Sequence, residues 1–141
     1  MMKTYLNVVE CAIEYKEKFL IIQRPEGVHA GGLLSFPGGK IEEQDELHGE
    51  DILKTGVQRE ILEEVGITLT DPLRYIRTTY FMGKPGIHVL NTLFHCVFKE
   101  EPIVIPSPRE VPVYFWMTRA EIDLSLNAPS WLKESLKGIL T

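Results

Sequence analysis

The segment 51–65 combines an apolar stripe with a concentration of acidic side chains, and this combination constrains the fold more than any other feature of the chain. Its apolar positions recur every four residues, and Leu62 widens the stripe, a pattern that predicts an amphipathic helix with one buried face. Asp51 suits the N-cap of such a helix and Gly66 the position just after its last turn. The stripe consists of Leu53, Val57, Ile61 and Val65.

Three glutamates, Glu60, Glu63 and Glu64, lie in the carboxyl-terminal half of this predicted helix. Their spacing of i, i+3 and i+4 puts them on one face, where each like-charge pair costs a few tenths of a kcal/mol. The helix dipole also disfavours anions at this end. A bound divalent cation would reverse the sign of both effects. The alternative is a solvated acidic surface, which the spacing alone does not exclude.

A glycine inside the predicted helix, Gly56, lies four residues before Glu60 and therefore on the acidic face. A glycine at a helix interior costs about 1 kcal/mol relative to alanine. The missing side chain predicts that a loop backbone approaches the helix here, and Pro37-Gly38-Gly39 is the nearest candidate.

The 141-residue chain has a net charge of −5, and this charge is unevenly distributed. Residues 42–64 hold nine acidic and two basic residues, a net charge of −7, which leaves +2 for the remainder. The overall acidity argues against general binding of nucleic acid. The length and the hydrophobic content of 44% predict one globular domain over residues 1–141.

The chain has no apolar run near the ~18 residues that cross a membrane, and Glu10 and Glu14 interrupt the stretch where a signal peptide would be apolar. Two cysteines are too few for a disulfide scaffold, and Cys11 and Cys96 each lie in an apolar run, as buried thiols do. We therefore expect a cytoplasmic protein without membrane attachment.

Apolar and β-branched segments on both sides of the helix predict strands. The resulting order, β-β-β-α-β-β-β-α, predicts a mixed sheet with helices packed on its faces. Residues 40–50 are polar and predict a loop, and Pro37-Gly38-Gly39 should end the third strand. The predicted strands are 5–14, 19–23, 33–36, 73–82, 87–98 and 113–117, and the later helices are 119–123 and 130–140.

The string 59–67, Arg-Glu-Ile-Leu-Glu-Glu-Val-Gly-Ile, matches without exception the second half of the Nudix box, REUxEExGU, in which U is a bulky aliphatic residue. The segment 37–42, Pro-Gly-Gly-Lys-Ile-Glu, resembles the opening of the box. The resemblance covers nearly the whole chain. It implies an α/β/α sandwich with a mixed β-sheet flanked by helices. It also implies hydrolysis of a nucleoside diphosphate linked to another group, with Mg²⁺, or Mn²⁺ in its place.

The chain departs from the box in its loop. The family pattern has thirteen residues between the box glycine and the arginine, whereas nineteen separate Gly39 from Arg59. Counted back from the arginine, the first box glutamate falls at Asp51, with Glu50 as the neighbouring substitute. The resemblance gives this acid the role of positioning Arg59 or the loop. The additional residues form either a solvated loop or a wall beside the site that restricts substrates.

The resemblance also implies roles for the acidic residues. Glu60 and Glu64 are expected to bind the metal, and the carbonyl of Gly39 is expected to be a backbone ligand. Glu63 is a third ligand or the base that takes a proton from water. Glu110, in a later loop, is an alternative base or else a solvated acid.

Four basic or aromatic residues complete the candidate site. Arg59 is expected to orient the carboxylates rather than touch the substrate. Arg24, Lys40 and Tyr80 are candidates for substrate contact, each with an ordinary surface or core alternative.

Motifs that mark particular Nudix subfamilies are not recognisable after the box. Met82 stands where ADP-ribose hydrolases often have proline, and Lys84 where dinucleoside-polyphosphate hydrolases often have tyrosine. A MutT-like enzyme converting a nucleoside triphosphate to the monophosphate is the first expectation, and an ADP-ribose or nucleotide-sugar hydrolase is the second. A nucleotide-sensing module without activity is disfavoured because the box keeps its acids. The implied partner is a nucleotide-type small molecule, and a homodimer stays open.

Overall fold

The computed structural model of the protein describes residues 2–28, 30–47 and 50–140. A 3-10 turn, Glu43–Glu46, precedes the first helix, and residues 48 and 49 of the predicted loop 40–50 lie outside the described residues. The strands are β1 (Leu6–Tyr15), β2 (Lys18–Gln23), β3 (Leu34–Ser35), β4 (Gly38–Lys40), β5 (Arg74–Met82), β6 (His88–Phe98) and β7 (Val113–Thr118). The helices are α1 (Ile52–Val65), α2 (Arg119–Leu124) and α3 (Ser130–Lys137).

Strand β1 lies at the centre of the sheet. It pairs in parallel with β6 and antiparallel with β2 and β4, in the order β3-β2-β1-β6-β5, while β7 pairs with β2. A parallel pair requires a long crossover connection, and α1 lies in the connection between β1 and β6. The predicted mixed sheet flanked by helices is confirmed.

Alternate residues of β1 supply two apolar layers on opposite faces of the sheet. Val9, Cys11 and Ile13 belong to the core beneath α1, and Ala12 belongs to the core beneath α2 and α3. Cys11 and Cys96 are buried free thiols, as predicted. None of the helices in the described part of the chain is long and apolar enough to span a membrane.

Helix α1 begins and ends where its sequence predicts. The Asp51 side chain accepts a hydrogen bond from the Lys54 N–H at 3.2 Å, and Gly66 ends the helix in the left-handed conformation, with φ of 69°. Leu62 does not join the buried face, because its side chain is 53% exposed. The predicted stripe is otherwise confirmed, with three residues fully buried and one packed at the margin of the core: Val57, Ile61, Val65 and Leu53.

Strand β3 ends before Pro37, as predicted, but the sequence did not predict the strand that follows the proline. Gly38–Lys40 forms β4, which pairs with one edge of β1 while β2 pairs with the far end of the same edge. The short β3 pairs instead with β2. The chain therefore passes from one strand partner to another at the proline, and the two glycines become part of the sheet beside α1.

Candidate active site

Strand β4 positions the two glycines of the site by its register with β1. Gly39 pairs with Val9, and Gly38 pairs with Glu10. Bonded and non-bonded pairs alternate along an antiparallel ladder, so the peptide groups of Gly39 face Val9, whereas those of Gly38 point away from β1. Two flanking bonds fix this alternation: Cys11 N–H to the Pro37 carbonyl, 3.0 Å, and Ile41 N–H to the Asn7 carbonyl, 2.9 Å.

Two carboxylates of α1 meet β4 from the side away from β1. The Gly38 N–H donates to Glu64 Oε1 at 3.2 Å, and Glu64 is only 7% exposed. Gly39 lies so close to Glu60 that a Cβ at this position would overlap the Glu60 carboxylate. The glycines therefore let acidic side chains of α1 approach the strand directly.

Burial alters the protonation of both carboxylates. Burial raises the pKa of Glu64 to about 8, the Gly38 N–H opposes this rise, and the charges of Glu110 and Glu60 add to it. Burial likewise raises the pKa of Glu60, although its hydrogen bond from Arg59 lowers it. Buried acids crowded by like charges are stabilised by a nearby cation.

Arg59 links α1 to the acidic loop. Its Nε and Nη2 atoms donate to the two carboxylate oxygens of Asp45 at 2.7 and 3.0 Å, a forked ion pair. Its Nη1 atom donates to Glu60 and Glu63 at 3.0 Å each, and Nη2 also donates to the Lys40 carbonyl at 2.9 Å. This geometry supports the predicted orienting role of Arg59, because one guanidinium holds Glu60 and Glu63 side by side.

Asp45 occupies the position for which the sequence predicts Asp51 or Glu50, so that prediction is wrong. The Asp45 side chain is 1% exposed, and the hydrogen bond from Arg59 lowers the pKa of its carboxyl while raising the pKa of the guanidinium. Counted forward from Gly39, the first box acid falls six residues on, which is Asp45. The additional residues therefore follow this acid, and Asp51 caps α1 instead.

The loop approaches α1 at Gly56, as the mid-helix glycine predicts, but with different groups. A Cβ on Gly56 would overlap Ile41 Cδ1 and lie 3.1 Å from Asp45 Oδ2. Side chains that follow β4 use this space, and the expected approach of the 37–39 backbone is wrong. The missing side chain at Gly56 therefore leaves space for the Asp45 carboxylate, which bonds Arg59.

The loop before β7 brings Glu110 to the end of α1. The Ile105 N–H donates to the Val65 carbonyl and the Ser107 N–H to the Glu64 carbonyl, both at 2.8 Å. Glu110 is exposed, and its charge contributes to the raised pKa of Glu64, so the two carboxylates lie near each other. The choice between Glu110 and Glu63 as base remains a prediction.

Glu10 is a titratable residue at the site that the sequence did not single out for function. A Cβ on Gly38 would lie 2.7 Å from the Glu10 Cα, and Glu10 Oε1 accepts a hydrogen bond from Asn91 Nδ2 at 3.0 Å. Burial raises the pKa of Glu10 to about 7. Arg24 lowers the pKa of both Glu10 and Glu64, so its guanidinium lies near both. The signal in the sequence is an acid between two core positions of a strand.

The remaining candidates lie farther from the carboxylates. The Lys40 side chain is exposed, and its backbone carbonyl contacts Arg59. Tyr80 packs against Tyr5 and His88, with the Lys3 ammonium over its ring. It lies on β5, three strands from β4, or about 14 Å across the sheet. The structure therefore does not bring Tyr80 together with the acidic residues.

The donors around β4 are carboxylate and carbonyl oxygens, which suit a hard divalent cation such as Mg²⁺ or Mn²⁺. In the part of the chain that the structure describes, no three acidic, histidine or cysteine side chains already form a group that could hold an ion. Arg59 engages two of the carboxylates, Glu60 and Glu63. The donor chemistry thus fits such a cation, provided that these side chains are shared between Arg59 and the ion.

Comparison with known proteins agrees with this arrangement. The family model described as NUDIX domain matches residues 5–138. The structure is similar to that of a MutT protein from Methanosarcina mazei Go1, with 25% identity, a TM-score of 0.77, and coverage of 97% of this chain and 94% of that chain.

Two further solved structures share the fold. The NUDIX domain of Shewanella oneidensis NrtR, in complex with ADP ribose, has 19% identity, a TM-score of 0.74 and coverage of 99% and 91%. A C. elegans Ap4A hydrolase has 19% identity, a TM-score of 0.72 and coverage of 94% and 93%. No curated protein sequence matches the chain. The NUDIX domain model matches almost the whole chain, and the glutamates of α1 lie against the glycines of β4. The chain therefore belongs to the Nudix family of pyrophosphohydrolases.

Proposed function

We propose that this protein hydrolyses the pyrophosphate bond of a nucleoside triphosphate, giving the monophosphate, with Mg²⁺ as cofactor and Mn²⁺ as a substitute. The observation that carries the proposal is the approach of Glu60 and Glu64 to the glycines of β4, with Glu110 nearby. Similarity to a MutT protein supports a triphosphate as the first substrate to test.

Glu60 and Glu64 are the proposed metal ligands, with Glu63 as a third ligand or the base. The Gly39 carbonyl was predicted as the backbone ligand, but the register of β4 favours the carbonyl of Gly38, which points away from β1. When bound, the metal ion supplies positive charge that offsets the phosphate oxygens and lowers the pKa of a bound water.

The protein's own side chains orient the reactants and accept the proton. Asp45 anchors Arg59, and Arg59 holds the Glu60 and Glu63 carboxylates side by side. Glu63, whose side chain is 52% exposed, or Glu110 then takes a proton from the attacking water. Arg24, close to Glu64, is proposed to bind a phosphate oxygen, and Lys40 is a second candidate for that contact.

A panel of nucleotides tests the proposal. Nucleoside triphosphates, ADP-ribose, a nucleotide sugar and a dinucleoside polyphosphate are incubated with and without Mg²⁺, and the products are separated by chromatography. We expect a monophosphate and pyrophosphate from at least one triphosphate, only with the metal. Preferential cleavage of ADP-ribose would favour the second candidate, which the resemblance to the NrtR domain supports. Absence of turnover across the panel would contradict the proposal.

A further inference from the structure

Glu10 and Asn91 form a polar pair on a largely apolar face of the sheet, and the proposed reaction uses neither. Their side chains share the face of Ala12 and Leu93, both of which are buried beneath α2 and α3. Asn91 Nδ2 donates to Glu10 Oε1 at 3.0 Å, yet each of the two residues is only half-buried. The pair is therefore fixed by its own hydrogen bond, and part of its surface is exposed.

Two polar atoms around this pair lack partners. Asn91 Oδ1 and Arg77 Nε are buried, and neither has a hydrogen-bond partner in the described ranges. Arg77 acts electrostatically on Glu10, so it belongs to the same group. A buried polar atom without a partner costs about 1–3 kcal/mol, and proteins retain such atoms chiefly where water, an ion or a ligand completes them. Each of these two atoms can therefore still form a hydrogen bond with water or another partner.

The position of the pair relative to the metal-binding carboxylates suggests which part of a substrate it meets. Glu10 lies opposite Gly38 in a non-bonded pair, where Cα atoms are about 4.5 Å apart, and the other side of Gly38 bonds Glu64. Arg24, the proposed phosphate contact, lowers the pKa of both Glu10 and Glu64. The pair is thus one strand step from the phosphate end of the site.

The chemistry of the pair selects a neutral hydrogen-bond donor. The Glu10 carboxylate repels phosphate oxygens, whereas it can accept hydrogen bonds from hydroxyl groups. In a nucleotide, the sugar is the group next to the phosphates that carries such donors, and acidic side chains bond ribose hydroxyls in other nucleotide sites.

We propose that Glu10, held in place by Asn91, binds the 2′-hydroxyl of the substrate's ribose and makes the enzyme select ribonucleotides over 2′-deoxyribonucleotides. This inference rests on the proposed function only in taking a nucleotide as the substrate.

The test compares kcat/KM for matched pairs such as ATP with dATP and GTP with dGTP. We expect the wild type to prefer the ribonucleotide by about tenfold, the order of magnitude of one hydrogen bond to a charged group. Glu10→Gln, which removes the charge at constant shape, should bring the ratio of ribo to deoxy rates close to one, and Asn91→Ala should lower it. Glu17→Gln, an exposed change in the β1–β2 turn, is the matched control and should keep the wild-type ratio.

A wild-type ratio near one, or an unchanged ratio in both variants, would overturn the inference. A change in preference among bases at a constant ribo-to-deoxy ratio would also overturn it, because the pair would then contact a base. Thermal melting establishes that each variant is folded. If Glu10→Gln does not fold, the ratio of ribo to deoxy rates in Asn91→Ala tests the inference.

Binding of AMP and dAMP, measured by calorimetry without metal, separates this inference from the proposed function. If the protein hydrolyses no nucleotide, tighter binding of AMP that is lost in Glu10→Gln still supports ribose recognition, and equal binding of the two overturns it.

Discussion

Arg59 compensates part of the negative charge of the acidic site. Its guanidinium bonds Asp45, Glu60 and Glu63 at once, and the Asp45 carboxylate is almost completely buried. A buried ion pair contributes little beyond an apolar replacement, but loss of one partner leaves an uncompensated charge and costs about 3–5 kcal/mol. The arrangement of the carboxylates on the acidic face of α1 therefore depends on Arg59.

The Asp45–Arg59 pair predicts a pH-dependent loss of stability in Asp45→Asn. We expect the free energy of unfolding to fall by about 3 kcal/mol at pH 7, near the lower limit for buried pairs because Glu60 and Glu63 still compensate Arg59. The folded-state pKa of Asp45 is lowered, so its stabilisation is present above its unfolded pKa of about 3.9 and disappears as the pH falls through the lower folded value.

Urea unfolding of wild type and variant at pH 7, 5 and 3 measures this difference. The gap between the two proteins should be constant from pH 7 to 5 and shrink below about pH 4. Glu46→Gln, an exposed change in the same 3-10 turn, should alter stability by less than about 0.5 kcal/mol. An equal gap at pH 7 and pH 3 would show that the ion pair is not its source.

The proposed metal ligands predict loss of activity without loss of fold. Glu60→Gln and Glu64→Gln should each lower kcat at saturating Mg²⁺ by about 100-fold or more, because each removes one charged oxygen ligand. Glu64→Gln should unfold at the same or a higher temperature without metal, since it removes a buried acid from a crowded face. Glu43→Gln makes the same charge change on an exposed side chain and should keep wild-type rates. Near-wild-type turnover in either ligand variant would contradict the assignment.

At the scale of elements, the three-residue strand β4 lies between β1 and the carboxylates of α1. Its glycines have different neighbours: a Cβ on Gly38 would overlap the Val9 carbonyl oxygen, whereas a Cβ on Gly39 would overlap the Glu60 carboxylate. Backbone in a sheet cannot move aside readily, but the end of a glutamate side chain can. The two positions should therefore respond differently to the same substitution.

Gly38→Ala should lower the melting temperature substantially, because β1 and β4 would have to separate. Gly39→Ala should change the melting temperature little and reduce metal-dependent turnover by about tenfold or more, because the displaced Glu60 carboxylate is a proposed ligand. Melting curves and kcat for both variants test this contrast. Equal melting temperatures for Gly38→Ala and wild type would mean that the register of β4 is not as described, and full activity of Gly39→Ala would mean that Glu60 needs no fixed position.

The periodic elements could be predicted from the sequence, and the elements fixed by tertiary pairing could not. The sequence predicts helix α1 from its apolar stripe, its N-cap Asp51 and its terminal Gly66. Strand β4 has no alternation of apolar residues, because two of its three residues are glycines that leave space for the backbone of β1 and for Glu60. Local propensity therefore predicts a break in the chain there rather than a strand. Counting back from Arg59 does not find Asp45, because the loop insertion separates this acid from the arginine without changing its distance from Gly39.

At the scale of the whole molecule, residues 42–64 carry a net charge of −7 while the rest of the chain carries +2. Arg59 and the Gly38 N–H compensate part of this charge, and burial still raises the pKa of Glu60 and Glu64. The folded state therefore keeps acids together that the unfolded chain would separate. A cation that binds this preorganised cluster would therefore bind the folded state alone.

Added Mg²⁺ should consequently stabilise the folded protein. A ligand that binds only the folded state contributes about 2.7 kcal/mol at 100 times its Kd, which corresponds to a rise in melting temperature of roughly 5–10 °C for a domain of this size. Thermal melts with MgCl₂ are compared with NaCl at equal ionic strength, since screening alone also relieves repulsion. Glu64→Gln should lose most of the magnesium-specific shift, whereas Glu43→Gln should keep it, and excess chelator should reverse it in both. If Glu64→Gln gained as much as the wild type, the ion would bind elsewhere on the acidic segment, and the carboxylates of α1 would not be its ligands.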